Sequence, residues 1–435
     1  MPALPFVVEL TRDLIRLDTT NPPGEEHLAV ELVERLLRDA KIDCARYESE
    51  PGRPNLVARV KGRGEAPPLL LQGHVDVVTT VNQDWRHRPF GGDIIDGYLW
   101  GRGALDMKSG VAMMVGALIR AQARGGAAGD LVLTVLADEE AGGICGARWL
   151  VDAHPELFTG IRHAIGESGG VALHVGGRRF YPIMVSEKRG CQMLVTLRGA
   201  GGHGSVPAHG GAMAKLGELL TRLDAGRLPV HITTPVRHQL EGMRDALAEP
   251  LKSRIGALLD PARTDAALAE LGALSRGLDA ALHNTVNATI VSGGLKINVI
   301  PSEVQVQLDG RLLPGFGPED MVRELREVVG SEPEIEVLLV GPAQPEVDLS
   351  QFDLFASVLK EADSGCVPVP SLVTGGTDAR HFARLGIRTY GFLPLNIPPD
   401  FNSSPTIHAA DERVPVSALE FGAECVYEAA MRYRG

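Results

Sequence analysis

"LLLQGHVDVV", residues 69–78, is the most apolar run in the chain and follows the turn-forming pair Pro67–Pro68. A short unbroken apolar run beside turn residues reads as a buried strand. It closes, however, on His74 and Asp76, two positions apart. Alternate residues of an extended chain share a face, so imidazole and carboxylate project together. In open α/β sheets ligands collect at the carboxyl ends of strands, so the same ten residues point to a sheet and to a candidate site.

Working outward, "PNLVARVKG" before this run and "DLVLTVLADEE" after it read as further strands. Between them lie the Gly-rich turn "GRGALDMKSG" and the small-residue apolar helix "VAMMVGALIRAQARG"; another helix begins near "GGICGARWLV". Upstream, apolar residues recur at helical spacing from Val7 to Arg16 and from Glu25 to Ala40. Alternating helices and strands predict an α/β layer with a mainly parallel sheet. The rhythm changes near Ser186. "CQMLVTLRG", "TVNATIVSGG", "EVQVQLDGRLL" and "EIEVLLVG" read as strands, with helices in "GGAMAKLGELLTRL" and "GPEDMVRELREVVG". That is a β-α-β-β-α-β order. The α/β rhythm returns after Gly341 and ends in a helix from Ser417 to about Tyr433. The expected organisation is therefore a discontinuous domain, residues 1–187 and 344–435, with a second domain, 188–343, inserted into it. Residues 225–284 form an Ala-, Leu- and Arg-rich helical segment within the insertion.

A chain of 435 residues is long enough for two domains. Its 44% hydrophobic and 23% charged residues fit a folded globular protein. No stretch approaches the roughly 18 apolar residues of a membrane span, and the first residues lack a basic leader pattern, so a cytoplasmic protein without a membrane partner is expected. Five scattered cysteines with no CxxC pair argue against a disulfide framework or a cysteine metal site. A formal charge of −12 argues against a nucleic-acid partner.

Several strand ends carry chemistry. His74 and Asp76 end one, Glu139 and Glu140 another, Glu167 follows the apolar "HAIG", and Asp106 sits in the Gly-rich turn. Taken singly, Asp106 reads as a helix cap, His74 as a buried histidine, and Glu139 with Glu140 as a solvated strand end. Together, five carboxylates and an imidazole on neighbouring strand ends repel unless positive charge lies among them. A metal pair supplies it.

Six motifs, "GHVDVV", "GRGALDMKSG", "ADEEAGG", "GESGG", "GGTDARHF" and "SSPTIHAADERV", in this order, resemble the dinuclear-zinc aminoacylase and carboxypeptidase family, which includes acetylornithine deacetylase, succinyl-diaminopimelate desuccinylase and glutamate carboxypeptidase. The resemblance covers nearly the whole chain. It implies a zinc-peptidase-like catalytic domain with an inserted ferredoxin-like lid and dimerisation domain. It further implies that Asp106 bridges two zinc ions, that His74 and Glu167 complete one site, and that Glu140 and His408 complete the other, with Co2+ or Mn2+ as substitutes. Asp76 is expected to orient His74, and Glu139 to act as general base. A cis peptide is expected between Asp106 and Met107.

In the inserted domain the resemblance assigns His203, in "GAGGHGSVP", to the oxyanion of the intermediate, often across a homodimer. Asn298 and Arg311 fall at positions lining the substrate; read alone they are a turn residue and a solvated strand end. Arg380 resembles a clamp for the substrate carboxylate, beside Gly375, Gly376 and Thr377, because a guanidinium holds a carboxylate bidentately. The expected activity is hydrolysis of an amide bond next to a free carboxylate, in a small N-acyl amino acid or short peptide. "GGTDAR" through "YGFLPL" and "HAADERVPV" resemble aminoacylase and carboxypeptidase S more than the desuccinylase. A dedicated biosynthetic deacylase is the nearest alternative, and a metal-free binding or scaffold protein a further one.

Overall fold

The computed structural model describes residues 5–343 and 345–435. Its largest sheet has nine strands. Eight follow one another in space as Asp43–Glu48, Pro54–Val60, Leu131–Leu136, Leu69–His74, His163–Gly166, Arg388–Gly391, Arg178–Glu187 and Val367–Val373. Leu173–Val175 pairs separately with Arg178–Glu187. The central four strands run parallel, whereas the Pro54–Val60 pairings are antiparallel. The mainly parallel α/β sheet expected from the sequence is thus present.

Strand pleating sorts the apolar residues between two layers. Leu69, Leu71, Leu131, Leu133 and Val135 face one core, shared with the helices Phe6–Ile15, Lys108–Ala123 and Val416–Arg432. Leu70, Val132 and Leu136 point the other way, toward Leu150, Phe158 and Phe382. The strands are therefore buried on both faces, which is why "LLLQGH" shows no polar alternation.

A second sheet, wholly antiparallel, has the spatial order Thr285–Gly293, Glu303–Leu312, Arg189–Arg198, Glu334–Val340. The helices Ala212–Ala225 and Pro318–Val329 place Leu219, Met321 and Leu325 against Met193, Val195, Val306 and Leu308 on one face. Chain order and spatial order are those of the βαββαβ plan.

The helical segment expected over 225–284 forms four α-helices, Thr234–Ala246, Leu251–Ala257, Pro261–Glu270 and Ser275–Leu282. Their apolar side chains pack with Val175, Phe180, Val369 and Leu372, so this segment rests on the edge of the large sheet. A polar knot joins it to the smaller one: Glu324, buried, accepts from His231 Nε2 and Asn284 Nδ2, both at 2.8 Å.

Candidate active site

Three adjacent parallel strands deliver the acidic and histidine residues to one end of the large sheet. His74 is the last residue of its strand, Glu139 and Glu140 follow Leu131–Leu136 in a 3-10 turn, and Glu167 follows His163–Gly166. Asp106 lies just before the helix Lys108–Ala123, and the peptide joining it to Met107 is cis. His408 arrives from the far end of the sequence on an irregular segment.

Two clusters result, and they share Asp106. His74 Nε2 lies 3.3 Å from Asp106 Oδ1 and 3.7 Å from Glu167 Oε2. His408 Nε2 lies 3.1 Å from Asp106 Oδ2 and 3.2 Å from Glu140 Oε1. Within each cluster the ligand atoms fall within 4.8 Å of one another. All five sequence-predicted metal ligands are therefore together. The donors suit a cation: imidazole nitrogen and carboxylate oxygen, with one carboxylate offering an oxygen to each side. His74 Nε2 is buried without a hydrogen-bond partner, as an atom reserved for a cation would be.

The electrostatics agree. Burial alone would lower the pKa of His74, but Asp106, Asp76 and Glu167 outweigh it and hold the imidazole well above its usual value. His408, hydrogen-bonded to Asp106 and Glu140, is pushed up to about 10. Burial raises the Asp106 carboxyl, yet His408 and His74 overcome this and hold it below the usual range. Burial, with Asp106 and Glu140 nearby, raises Glu167 against the opposing pull of His74.

Asp76 acts more broadly than expected. His74 Nδ1 hydrogen-bonds the Asp76 backbone carbonyl at 3.1 Å, with the side-chain Oδ1 at 3.3 Å. The same carboxylate accepts from the amides of Glu139 and Glu140, each at 3.1 Å, and from Asn21 Nδ2 at 2.9 Å. It thus orients the histidine and anchors the turn bearing both glutamates.

Glu139 is largely buried, with Oε1 3.7 Å from Arg380 Nη2. Burial and Glu167 hold its carboxyl well above the usual range. Arg380 Nε donates to His381 Nε2 at 3.2 Å, and its guanidinium crosses Gly376, where a Cβ would stand 2.8 Å from Nη1. Thr377 turns inward, its amide and hydroxyl both donating to Glu187 at 2.8 Å, while Gly375 is exposed.

His203, Asn298 and Arg311 lie on the smaller sheet's side of the chain. His203 is exposed, with Nδ1 2.7 Å from Ser205 Oγ, and pairs in register with Val299, next to Asn298. Arg311 is engaged bidentately by Asp309, at 3.0 Å for both contacts.

Sequence reading passed over the supporting residues. Asp138 adopts a positive φ of 70° while its carboxylate takes Asn21 Nδ2, Arg53 Nη2 and the Cys145 amide. Glu412 lies fully buried, within a motif already quoted, and ties down the Asp106 turn. Asp378 is buried with neither carboxylate oxygen hydrogen-bonded. Desolvation pushes its carboxyl up to about 8, with Glu167 and Asp76 adding to the effect against Arg380 and His74. Ordinary Asp, Glu and Arg residues give no local signal of such long-range partners.

Comparison with known proteins bears on the whole chain. Residues 70–432 match the family model described as Peptidase family M20/M25/M40. The chain is 30% identical over 428 residues to a succinyl-diaminopimelate desuccinylase of Cereibacter sphaeroides, covering 95% of each. It is 26% identical over 424 residues to aminoacylase-1 of Sus scrofa, covering 94% of this chain and 90% of that protein. Among solved structures, the M20 family metallo-carboxypeptidase Sso-CP2 of Sulfolobus solfataricus shares the fold, with a TM-score of 0.70 at 16% identity over 98% of this chain and 99% of that one. Among the described residues no helix is long and apolar enough to cross a membrane. With the family model spanning most of the chain and the whole fold shared, the protein belongs to peptidase family M20/M25/M40 and is a hydrolytic enzyme of that family.

Proposed function

We propose that this chain is a two-zinc amidohydrolase that cleaves an amide bond beside a free carboxylate. The observation carrying this reading is the pair of ligand clusters hinged on Asp106, with Glu139 adjacent to ligand Glu140 but directed at Arg380 instead. Asp106, His74 and Glu167 would hold one ion, and Asp106, Glu140 and His408 the other. Bound there, zinc supplies a lowered pKa for water and polarisation of the scissile carbonyl.

The chain's own residues do the rest. Glu139 takes a proton from the attacking water and gives it to the departing amine nitrogen. Arg380, partly exposed beside the base, holds the substrate carboxylate, with the open backbone at Gly375 admitting it and Gly376 leaving room for the guanidinium. Residues 188–343 serve as lid and dimerisation domain. Exposed His203 would then reach a partner subunit's centre to stabilise the oxyanion, with Asn298 and Arg311 lining the substrate end. The nearby loop supports this, since Leu295 and Ile297 are fully exposed there, at 105% and 101% relative exposure. The working location is the cytoplasm.

The test is hydrolysis of N-acetyl amino acids, dipeptides, N-acetylornithine and N-succinyl-diaminopimelate by zinc-loaded enzyme, each beside its carboxyl-amidated analogue. Cleavage lost on amidation supports the reading; equal rates on amidated substrates would refute carboxylate recognition. Similarity to a desuccinylase at 30% identity favours one second reading, a dedicated deacylase. Turnover confined to N-succinyl-diaminopimelate would select it.

A further inference from the structure

The ligands of the two clusters are held in unlike ways. His74 and Glu167 stand on paired strand ends in the middle of the large sheet. His408 does not. It follows the short 3-10 turn Ser404–Thr406, has a positive φ of 60°, and leaves half of its side chain exposed. An imidazole on irregular backbone needs a fixed support to meet a cation with good geometry.

That support is a chain of hydrogen bonds from another part of the fold. Gln83 Nε2 donates to the backbone carbonyl of His408 at 3.0 Å. Gln83 Oε1 accepts from Trp85 Nε1 at 3.1 Å and from Arg102 Nη2 at 2.9 Å. Two donors on the oxygen fix which way the amide faces, so its nitrogen must point at His408. Arg102 Nη2 also donates to the Ala409 carbonyl at 3.1 Å, and Arg102 Nη1 to Glu412 Oε2 at 2.6 Å.

Glu412 completes the circuit. Its buried carboxylate accepts from the amides of Gly103 at 3.1 Å, Leu105 at 2.7 Å and Asp106 at 3.1 Å. Arg102 and Glu412 are both almost wholly buried, which is costly unless they are paired; both terminal nitrogens of Arg102 are engaged, although its Nε has no partner, and the pairing joins the Asp106 turn to the His408 segment. We propose that Gln83, with Arg102 and Glu412 behind it, is a positioning residue that sets the affinity of the metal position formed by Glu140 and His408, without governing the one formed by His74 and Glu167. This rests on the two-ion reading above.

The experiment is zinc titration of chelator-stripped full-length protein against a chromophoric competitor, with melting of the stripped forms as a check on folding. Gln83→Glu keeps an acceptor for Trp85 and Arg102 but sets a carboxylate oxygen against the His408 carbonyl. Gln83→Ala removes both halves and serves if the first variant does not fold. His408→Ala marks the loss of the second position. The expected result is two equivalents on the unaltered protein and, in both Gln83 variants, a second equivalent weakened by about 10- to 100-fold with the first unchanged. An unchanged second equivalent, or equal weakening of both, would overturn this proposal alone. Fewer than two equivalents on the unaltered protein would overturn the two-ion reading as well.

Discussion

His408 Nε2 lies 3.1 Å from Asp106 Oδ2, although the residues are 302 positions apart in the chain. Asp106 also lies 3.3 Å from His74, so it is the one residue common to both clusters. Asp106→Ala should therefore abolish uptake of both ions, whereas His408→Ala should spare one. Metal content after exhaustive dialysis distinguishes them; one retained ion in Asp106→Ala would refute the bridging role.

In the proposed reading Glu139 is the proton acceptor and not a ligand. Glu139→Gln keeps the size of the side chain and should lower kcat by about 10²- to 10⁴-fold. Its metal stoichiometry should match that of the unaltered protein. Loss of an ion would make Glu139 a ligand instead.

Arg380 offers two parallel N–H donors, which a lysine cannot reproduce. Arg380→Lys should raise KM for carboxylate substrates by roughly tenfold or more, consistent with losing part of a charged hydrogen-bond pair. The penalty should vanish for amidated analogues, and a uniform loss across both would remove the clamp.

Lys188 lies at the junction of the two sheets, 1% exposed, its ammonium donating to Thr285 Oγ1 at 3.1 Å. Burial lowers its pKa from 10.5 to about 7, with Arg311 adding to the effect. A base depressed by folding costs stability in full below its folded pKa, and the cost fades as pH rises from 7 toward 10.5. Lys188→Met should thus raise the unfolding free energy by about 2–4 kcal/mol at pH 6. The gain should shrink toward pH 10, as urea unfolding at several pH values would reveal. A gain independent of pH would mean that packing alone was responsible.

Much of this was legible beforehand because it lies in local pattern. The apolar runs at 69–74 and 131–136 became the central strands, and "CQMLVTLRG" with its three companions became the second sheet in the expected order. Of the proposed ligands, His74 and Glu167 were legible at the ends of apolar runs beside Gly73 and Gly166, whereas Asp106, Glu140 and His408 were assigned through the family resemblance of their motifs. Less legible were contacts set by tertiary packing. Nothing in the Ala- and Leu-rich helices says that they lie on Val369 and Leu372. Glu412, Arg102 and Asp138 read as surface charges until folding buries them. The expected bond from His74 to the Asp76 side chain is shared with the Asp76 carbonyl, at the point where the strand has ended at His74.

One carboxylate, Asp76, grips the amides of both Glu139 and Glu140. Glu139 and Glu140, the proposed base and ligand, are therefore tied through adjacent amides to one side chain. In the proposed reading, residues elsewhere around the site can be exchanged to suit a new acyl group or side chain while the spacing between these two carboxylates stays as it is. Changes of substrate within this architecture need not disturb the chemical step.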